Sequence, residues 1–184
     1  DEFIMGVGKK IEIALDENTL SVRDFGRGIP LGKVIDCVSQ INTGGKYNDD
    51  VFQFSVGLNG VGTKAVNALS SEFEVVSYRE GQYMQAFFER GKLQKKKKGK
   101  VSKEPNGTFI RFTPDLQIFK KYDWNTEFIE RRLLYYSFLN AGLTLAYNGR
   151  NYRSRGGLQD LLGYELGDTV PLYDIVRVSS EKIE

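Results

Sequence analysis

Histidine is absent from this 184-residue sequence, and cysteine occurs once. Without histidine, the chain cannot assemble Ser-His-Asp or Cys-His nucleophilic machinery, and a histidine kinase would need its phospho-acceptor on another chain. The lone Cys37 excludes an internal disulfide and a cysteine-rich zinc site and fits a reducing compartment. It reads as a small apolar residue on a helix face. No apolar run approaches bilayer-spanning length, and the first residues lack the basic and apolar regions of a signal peptide, so a cytoplasmic protein with no membrane partner is expected. An excess of one charge is also missing. The 26 Lys+Arg against 24 Asp+Glu leave +2, too balanced for a protein whose main task is coating nucleic acid. Hydrophobic residues make up 40%, enough for one substantial core and the start of a second, smaller unit.

Two glycine-bearing stretches stand out. In the first, the strand-like run Ser21-Val22-Arg23 breaks into Asp24-Phe25-Gly26-Arg27-Gly28-Ile29-Pro30. Gly26 and Gly28 permit positive φ and let a ligand approach bare backbone, while Asp24 is a fixed acceptor suited to an exocyclic amine or an amide. An ordinary Asp-Gly turn after a strand explains this stretch alone about equally well. In the second, Gly57-Leu58-Asn59-Gly60-Val61-Gly62 runs into Thr63-Lys64-Ala65-Val66-Asn67-Ala68-Leu69-Ser70, where Ala65, Val66 and Leu69 predict a helix. Glycines ending at a helix N-terminus suit a phosphate. A flexible lid or a close helix–sheet contact is the alternative. Gly62 is followed by Thr63-Lys64, so the stretch is not a Walker P-loop.

The remaining pattern alternates strands and helices. Residues 1–6 look like the last turn of a helix, with Gly6 or Gly8 as its left-handed cap. Lys10–Leu15 and Leu20–Arg23 predict a hairpin feeding the Asp24 turn. Residues 33–41 place Val34, Cys37, Val38 and Ile41 on one helical face. Strands are expected at 72–78, 82–89 and 108–113, with Lys95-Lys96-Lys97-Lys98 as a solvated hairpin tip between the last two. A helix capped by Thr126, with an apolar stripe from Phe128 to Leu139, ends near Gly142. A hairpin then turns at Asn148-Gly149.

Taken together, Asp24–Pro30, Thr43-Gly44-Gly45-Lys46-Tyr47, Gly57–Gly62, Val66-Asn67-Ala68-Leu69-Ser70, Asn106–Phe112 and Ser137–Gly142 closely resemble the ATPase region of the B-type chain of bacterial type IIA DNA topoisomerases, gyrase and topoisomerase IV alike. That family lies in the GHKL superfamily. The resemblance implies an α/β two-layer sandwich of GHKL, Bergerat type, with a mixed, largely antiparallel sheet. It divides the chain into an ATP-binding domain at 1–155 and a linker helix and strand at 156–184 leading to a transducer domain.

It also implies an ATP-hydrolysing topoisomerase as the parent protein, with ATP and Mg2+ as cofactors. Nucleotide-driven homodimerisation would gate DNA passage, alongside an A-type subunit. The implied site has Asp24 accepting from the adenine amine, with Gly26, Gly28, Ile29 and Pro30 beside the base and Thr108 sharing a water at the same edge. Lys46 would lie near the phosphates, and Gly57, Leu58, Asn59, Gly60, Val61 and Gly62 would offer backbone N–H groups to them. Glu2 would support the turn by facing Arg27. The general-base Glu and the Mg2+-binding Asn are expected upstream of Asp1. The family often has His where Asn59 stands, and its lid Tyr aligns with Phe52. A MutL-like or chaperone-like GHKL ATPase, or a non-enzymatic DNA-binding or assembly module centred on the lysine run, is the alternative.

Overall fold

The computed structural model describes residues 2–41, 60–176 and 178. Among these, eight strands build one sheet: β1 (Lys10–Asp16), β2 (Thr19–Asp24), β3 (Ser70–Arg79), β4 (Gln82–Glu89), β5 (Lys92–Lys100), β6 (Gly107–Pro114), β7 (Thr144–Tyr147) and β8 (Arg150–Tyr152). Their spatial order is β5-β4-β3-β6-β2-β1-β7-β8. Only β1 and β7 run parallel; every other neighbouring pair is antiparallel. The helices are α1 (Val34–Ser39), α2 (Gly62–Ala68), α3 (Leu116–Phe119), α4 (Thr126–Leu139) and α5 (Leu158–Leu166), with a 3-10 turn at Leu31–Lys33 ahead of α1.

Short loops set this order. Glu80-Gly81, Arg90-Gly91 and Asn148-Gly149 all have both residues at positive φ, the backbone that matches the twist of a two-residue hairpin. The first turn of the chain ends as expected. Gly6, at φ +80, donates to Phe3 O, and Val7 donates to Glu2 O at 2.8 Å, which closes a Schellman cap.

Register places the core on one face. Val22, Ile110, Val75 and Ala86 form one cross-strand row, and Leu20, Phe112, Phe73 and Phe88 form the next. Val34 and Val38 of α1, both essentially inaccessible, pack on these rows. The same face continues across β1 and β7, where Ile11, Ile13, Leu145 and Tyr147 meet Leu133 of α4. Helices therefore cover one side of a mixed sheet, as the expected two-layer sandwich requires. Among the described residues no helix is long and apolar enough to cross a membrane.

Two expectations need correction. The lysine run is not a hairpin tip: it lies within β5, an edge strand paired along β4, because Arg90-Gly91 already makes the turn. The helix expected from Ala65, Val66 and Leu69 is present as α2, which buries Lys64 and Asn67 and packs Val66 against the α1 core, while Ala65 and Leu69 are exposed. The helix docks by hydrogen bonding, with Asn67 Nδ2 donating to Val38 O at 2.9 Å. Asn125, not Thr126, caps α4 by accepting from Phe128 N at 2.9 Å.

Candidate functional site

The site is built where β2 ends. Strand alternation puts Val22 on the helix-covered face, so Asp24, two residues on, points to the same side at the row where helix cover begins to give way. Its neighbours in that row are Thr108, next in register on β6, and Ser77, which pairs with Thr108 on β3. Asp24 Oδ1 accepts from Gly26 N at 2.9 Å, an Asx turn that fixes the carboxylate. Among the described residues no donor reaches its second oxygen.

Bare backbone holds the turn against the sheet. Gly28 has φ +77, and a Cβ there would lie 2.5 Å from Tyr78 O. Ser77 Oγ donates to Ile29 O at 2.7 Å, and Pro30 O accepts from Lys33 N at 2.7 Å, carrying the turn into the helical layer. Ile29 packs against the α1 core. Gly107 at the start of β6 sits so close to the Asp24 carbonyl that no side chain fits.

Glu2 grips the outer side. Its carboxylate accepts from Arg27 Nη2 at 2.8 Å, from Nε at 3.0 Å and from the Arg27 backbone N at 3.0 Å, which is the pairing expected of these two residues. The Arg27 hydrogen bonds hold the Glu2 carboxyl below the ordinary carboxylate range against the opposing effect of burial. In return, Glu2 raises the Arg27 guanidinium further above its usual value. Gly26 lies between Glu2 Cγ and Asp24 Oδ1, so only a very small residue fits.

Behind the sheet, Arg23 is buried with its guanidinium between the Phe25 and Tyr78 rings, 4.9 and 4.7 Å from their centroids. It donates to Asp24 O and to Pro105 O, both at 2.7 Å. From the sequence, Arg23 is one polar residue of an alternating strand, and Ser77 and Gly107 are no more than strand and strand-edge positions. Only the conspicuous Asn106-Gly107 before an apolar run hints at the close approach.

The structure thus brings Asp24, Gly26, Gly28, Ile29, Pro30 and Thr108 to one end of the sheet, with Glu2 and Arg27 beside them. Gly60, at φ +55, and Val61 lead into α2 at Gly62, and α2 is tied to α1 through Asn67. Lys64 Nζ donates to Gly60 O. Lys46, Phe52, Gly57, Leu58 and Asn59 lie outside the described residues. Among the described residues no three His, Cys, Asp or Glu side chains form a group able to hold a metal.

This geometry has counterparts among known proteins. The chain is 54% identical over 184 residues to the B-type chain of DNA topoisomerase 4 of Borreliella burgdorferi, an alignment covering all of this chain and 31% of that protein. It is 38% identical over 153 residues to the B-type chain of DNA gyrase of Mycolicibacterium smegmatis, covering 79% of this chain and 22% of that protein. The chain therefore spans about a third or less of the curated relatives it matches. Its fold matches the crystal structure of the 43K ATPase domain of Thermus thermophilus gyrase B in complex with an aminocoumarin, with TM-score 0.77, 26% identity, and coverage of 95% of this chain and 48% of that one. No protein-family model matches the chain.

Proposed function

We propose, on the premise that this chain belongs to the B-type family of bacterial type IIA DNA topoisomerase chains as a GHKL ATPase region, that its site binds ATP. One observation carries the reading. Asp24 is a carboxylate with one oxygen held by its own turn and the other free of donors among the described residues, on the face and in the row of Thr108. Such an acceptor suits the adenine amine, and glycines on both sides let the flat base approach backbone. Gly28, Ile29 and Pro30 would line one side of the base, and Thr108 would share a water at its edge. Gly60, Val61 and Gly62, with Gly57, Leu58, Asn59 and Lys46, would serve the phosphates.

Bound ATP would supply the phosphoanhydride whose cleavage resets the enzyme. This chain's residues bind and orient it. The Glu2–Arg27 pair and the Arg23 clamp hold the turn still from outside and from behind. Mg2+ belongs to the reading as the nucleotide's counter-ion, held mainly by the phosphates and water, since among the described residues no three His, Cys, Asp or Glu side chains form a group to hold it. In the whole enzyme, nucleotide binding would drive homodimerisation and gate DNA passage, with an A-type subunit completing the assembly in the cytoplasm. Of the two enzymes, topoisomerase IV is favoured by 54% identity along the whole chain against 38% over 79% of it.

The test is calorimetry with ATP on the wild type and on Asp24→Asn and Asp24→Ala. Removing a charge-assisted acceptor and leaving the base amine unpaired costs on the order of 2–3 kcal/mol, roughly 30- to 150-fold in Kd. Unchanged affinity in a folded Asp24→Ala protein would sink the assignment.

A further inference from the structure

We propose that β5 is a contact for the phosphate backbone of duplex DNA, independent of the nucleotide site. The strand reads Lys92-Leu93-Gln94-Lys95-Lys96-Lys97-Lys98-Gly99-Lys100, and all six lysines are exposed at the edge of the eight-stranded sheet. Among the described residues no carboxylate lies within ion-pair distance of any of them. Beneath them, Gln82–Phe88 of β4 carries no charge, and Glu89 is engaged by Arg90. Subtracting the six from the 26 basic residues leaves 20 against 24 acidic ones, so the rest of the chain is net negative and the positive charge is concentrated along this edge.

Register divides the lysines into two rows. Lys95 and Lys97 pair with Phe87 and Gln85 on the open face, whereas Lys96, Lys98 and Lys100 pair with Ala86, Met84 and Gln82 on the helix side. A β-strand advances about 3.4 Å per residue, and phosphates along one DNA strand advance about 3.4 Å along the helix axis. Lysines of one row stand about 6.8 Å apart, while a duplex presents a phosphate about every 3.4 Å of axis on each strand, so several long side chains from either row find phosphates within reach at once. A lipid surface offers no such linear array. Without interleaved aromatics, the strand has no platform for stacking single-stranded bases. Lysines at a sheet edge also deter pairing with another strand, but that role is indifferent to salt and to polyanions.

The experiment is fluorescence anisotropy of a duplex of about 20 base pairs against this chain, from 50 to 200 mM salt. Four phosphate contacts give a slope of log affinity on log salt of about −3.6, so wild-type binding should weaken by roughly 100-fold across that range. Exchanging Lys95, Lys96, Lys97 and Lys98 for Ser should remove most of the binding and most of the slope. ATP affinity and the unfolding midpoint should stay as they were. Exchanging the same four for Arg should retain duplex binding. Three results each overturn the proposal: equal affinity and slope in the Ser protein, no duplex binding by the wild type at 50 mM salt, or loss of binding in the Arg protein. Phosphatidylglycerol vesicles capturing the chain in preference to the duplex would overturn it too, in favour of a lipid surface. A failed ATP titration would leave the duplex result standing, so the two readings can fail separately.

Discussion

At Gly107 an added Cβ would lie 2.1 Å from the Asp24 carbonyl oxygen and 2.5 Å from Arg23 Nη1, at a φ of +138 that L side chains rarely adopt. Gly107→Ala must therefore displace β2 or the clamp behind it. The cost should exceed about 3 kcal/mol in urea unfolding, above the ordinary range for a point change. Gly32→Ala, with nothing within 4 Å of the added carbon, should move stability by less than about 0.5 kcal/mol. Equal effects at the two glycines would contradict the close approach. Arg23→Met leaves the Asp24 and Pro105 carbonyls without their charged donor and forfeits two ring contacts. A loss of about 2–3 kcal/mol is expected by the same measurement. Glu2 adds a pH dependence. Its folded-state pKa is lowered, chiefly by the Arg27 side-chain hydrogen bonds, so its contribution is present above the ordinary carboxylate value and is lost as pH falls through the lowered one. The pair is partly exposed, which limits that contribution to about 1 kcal/mol or less. Arg27→Gln should lower the unfolding midpoint near pH 7 and leave it nearly unchanged once acid has protonated Glu2.

Whole elements depend on similarly local contacts. The chain enters α5 through Gly157, at φ +63, and Asp160 reaches back to tie down the loop that precedes the helix. Its Oδ2 accepts from Ser154 Oγ at 2.6 Å and from Gly156 N at 2.9 Å, which holds the carboxyl below its usual range. Asp160→Asn should loosen the start of α5 and lower the midpoint by about 2–4 °C at neutral pH. The difference from wild type should vanish as acid protonates Asp160, because a lowered carboxyl stabilises only while ionised. Amide exchange at Gly156 that stays as slow in the variant would contradict this tethering role. Farther along, α5 docks on α4 through the Tyr135–Glu165 hydrogen bond and the Tyr164–Phe138 ring contact, so it packs on the body of the domain.

For the molecule as a whole, the proposed site has an adenine acceptor in Asp24 and no residue proposed as a general base. Hydrolysis depends mainly on positioning water and stabilising charge at the phosphates. The 184-residue chain assayed alone should therefore bind ATP in the upper micromolar range or more weakly, about 5–6 kcal/mol, and release phosphate only at background rate. A full-length B-type chain such as the topoisomerase 4 relative of Borreliella burgdorferi should turn over faster. Equal turnover by the short and long forms would show that the base lies inside these residues.

Local chemistry made much of this legible from sequence. Alternation gave the β1–β2 hairpin, Asn148-Gly149 marked the turn between β7 and β8, Gly6 closed the first turn, and the order of motifs pointed to the family and the two-layer fold. Asp24 could be singled out because a carboxylate between apolar and glycine residues is unusual on its own. What sequence could not give depended on partners far along the chain. Arg23 became a clamp only when β6 brought Pro105 and Gly107 against β2, and Ser77 became a support only when the Asp24 turn crossed the end of β3. On α2 the sequence marked the helix but not the side it buries, which Val66 packing and the hydrogen bond from Asn67 to α1 decide. The lysine run looked like a loop by composition, and pairing along β4 made it a strand. Backbone propensity and turn chemistry act between neighbours and are written in the sequence; which polar side chain is buried, and which strand stands at an edge, is decided only when distant strands pair.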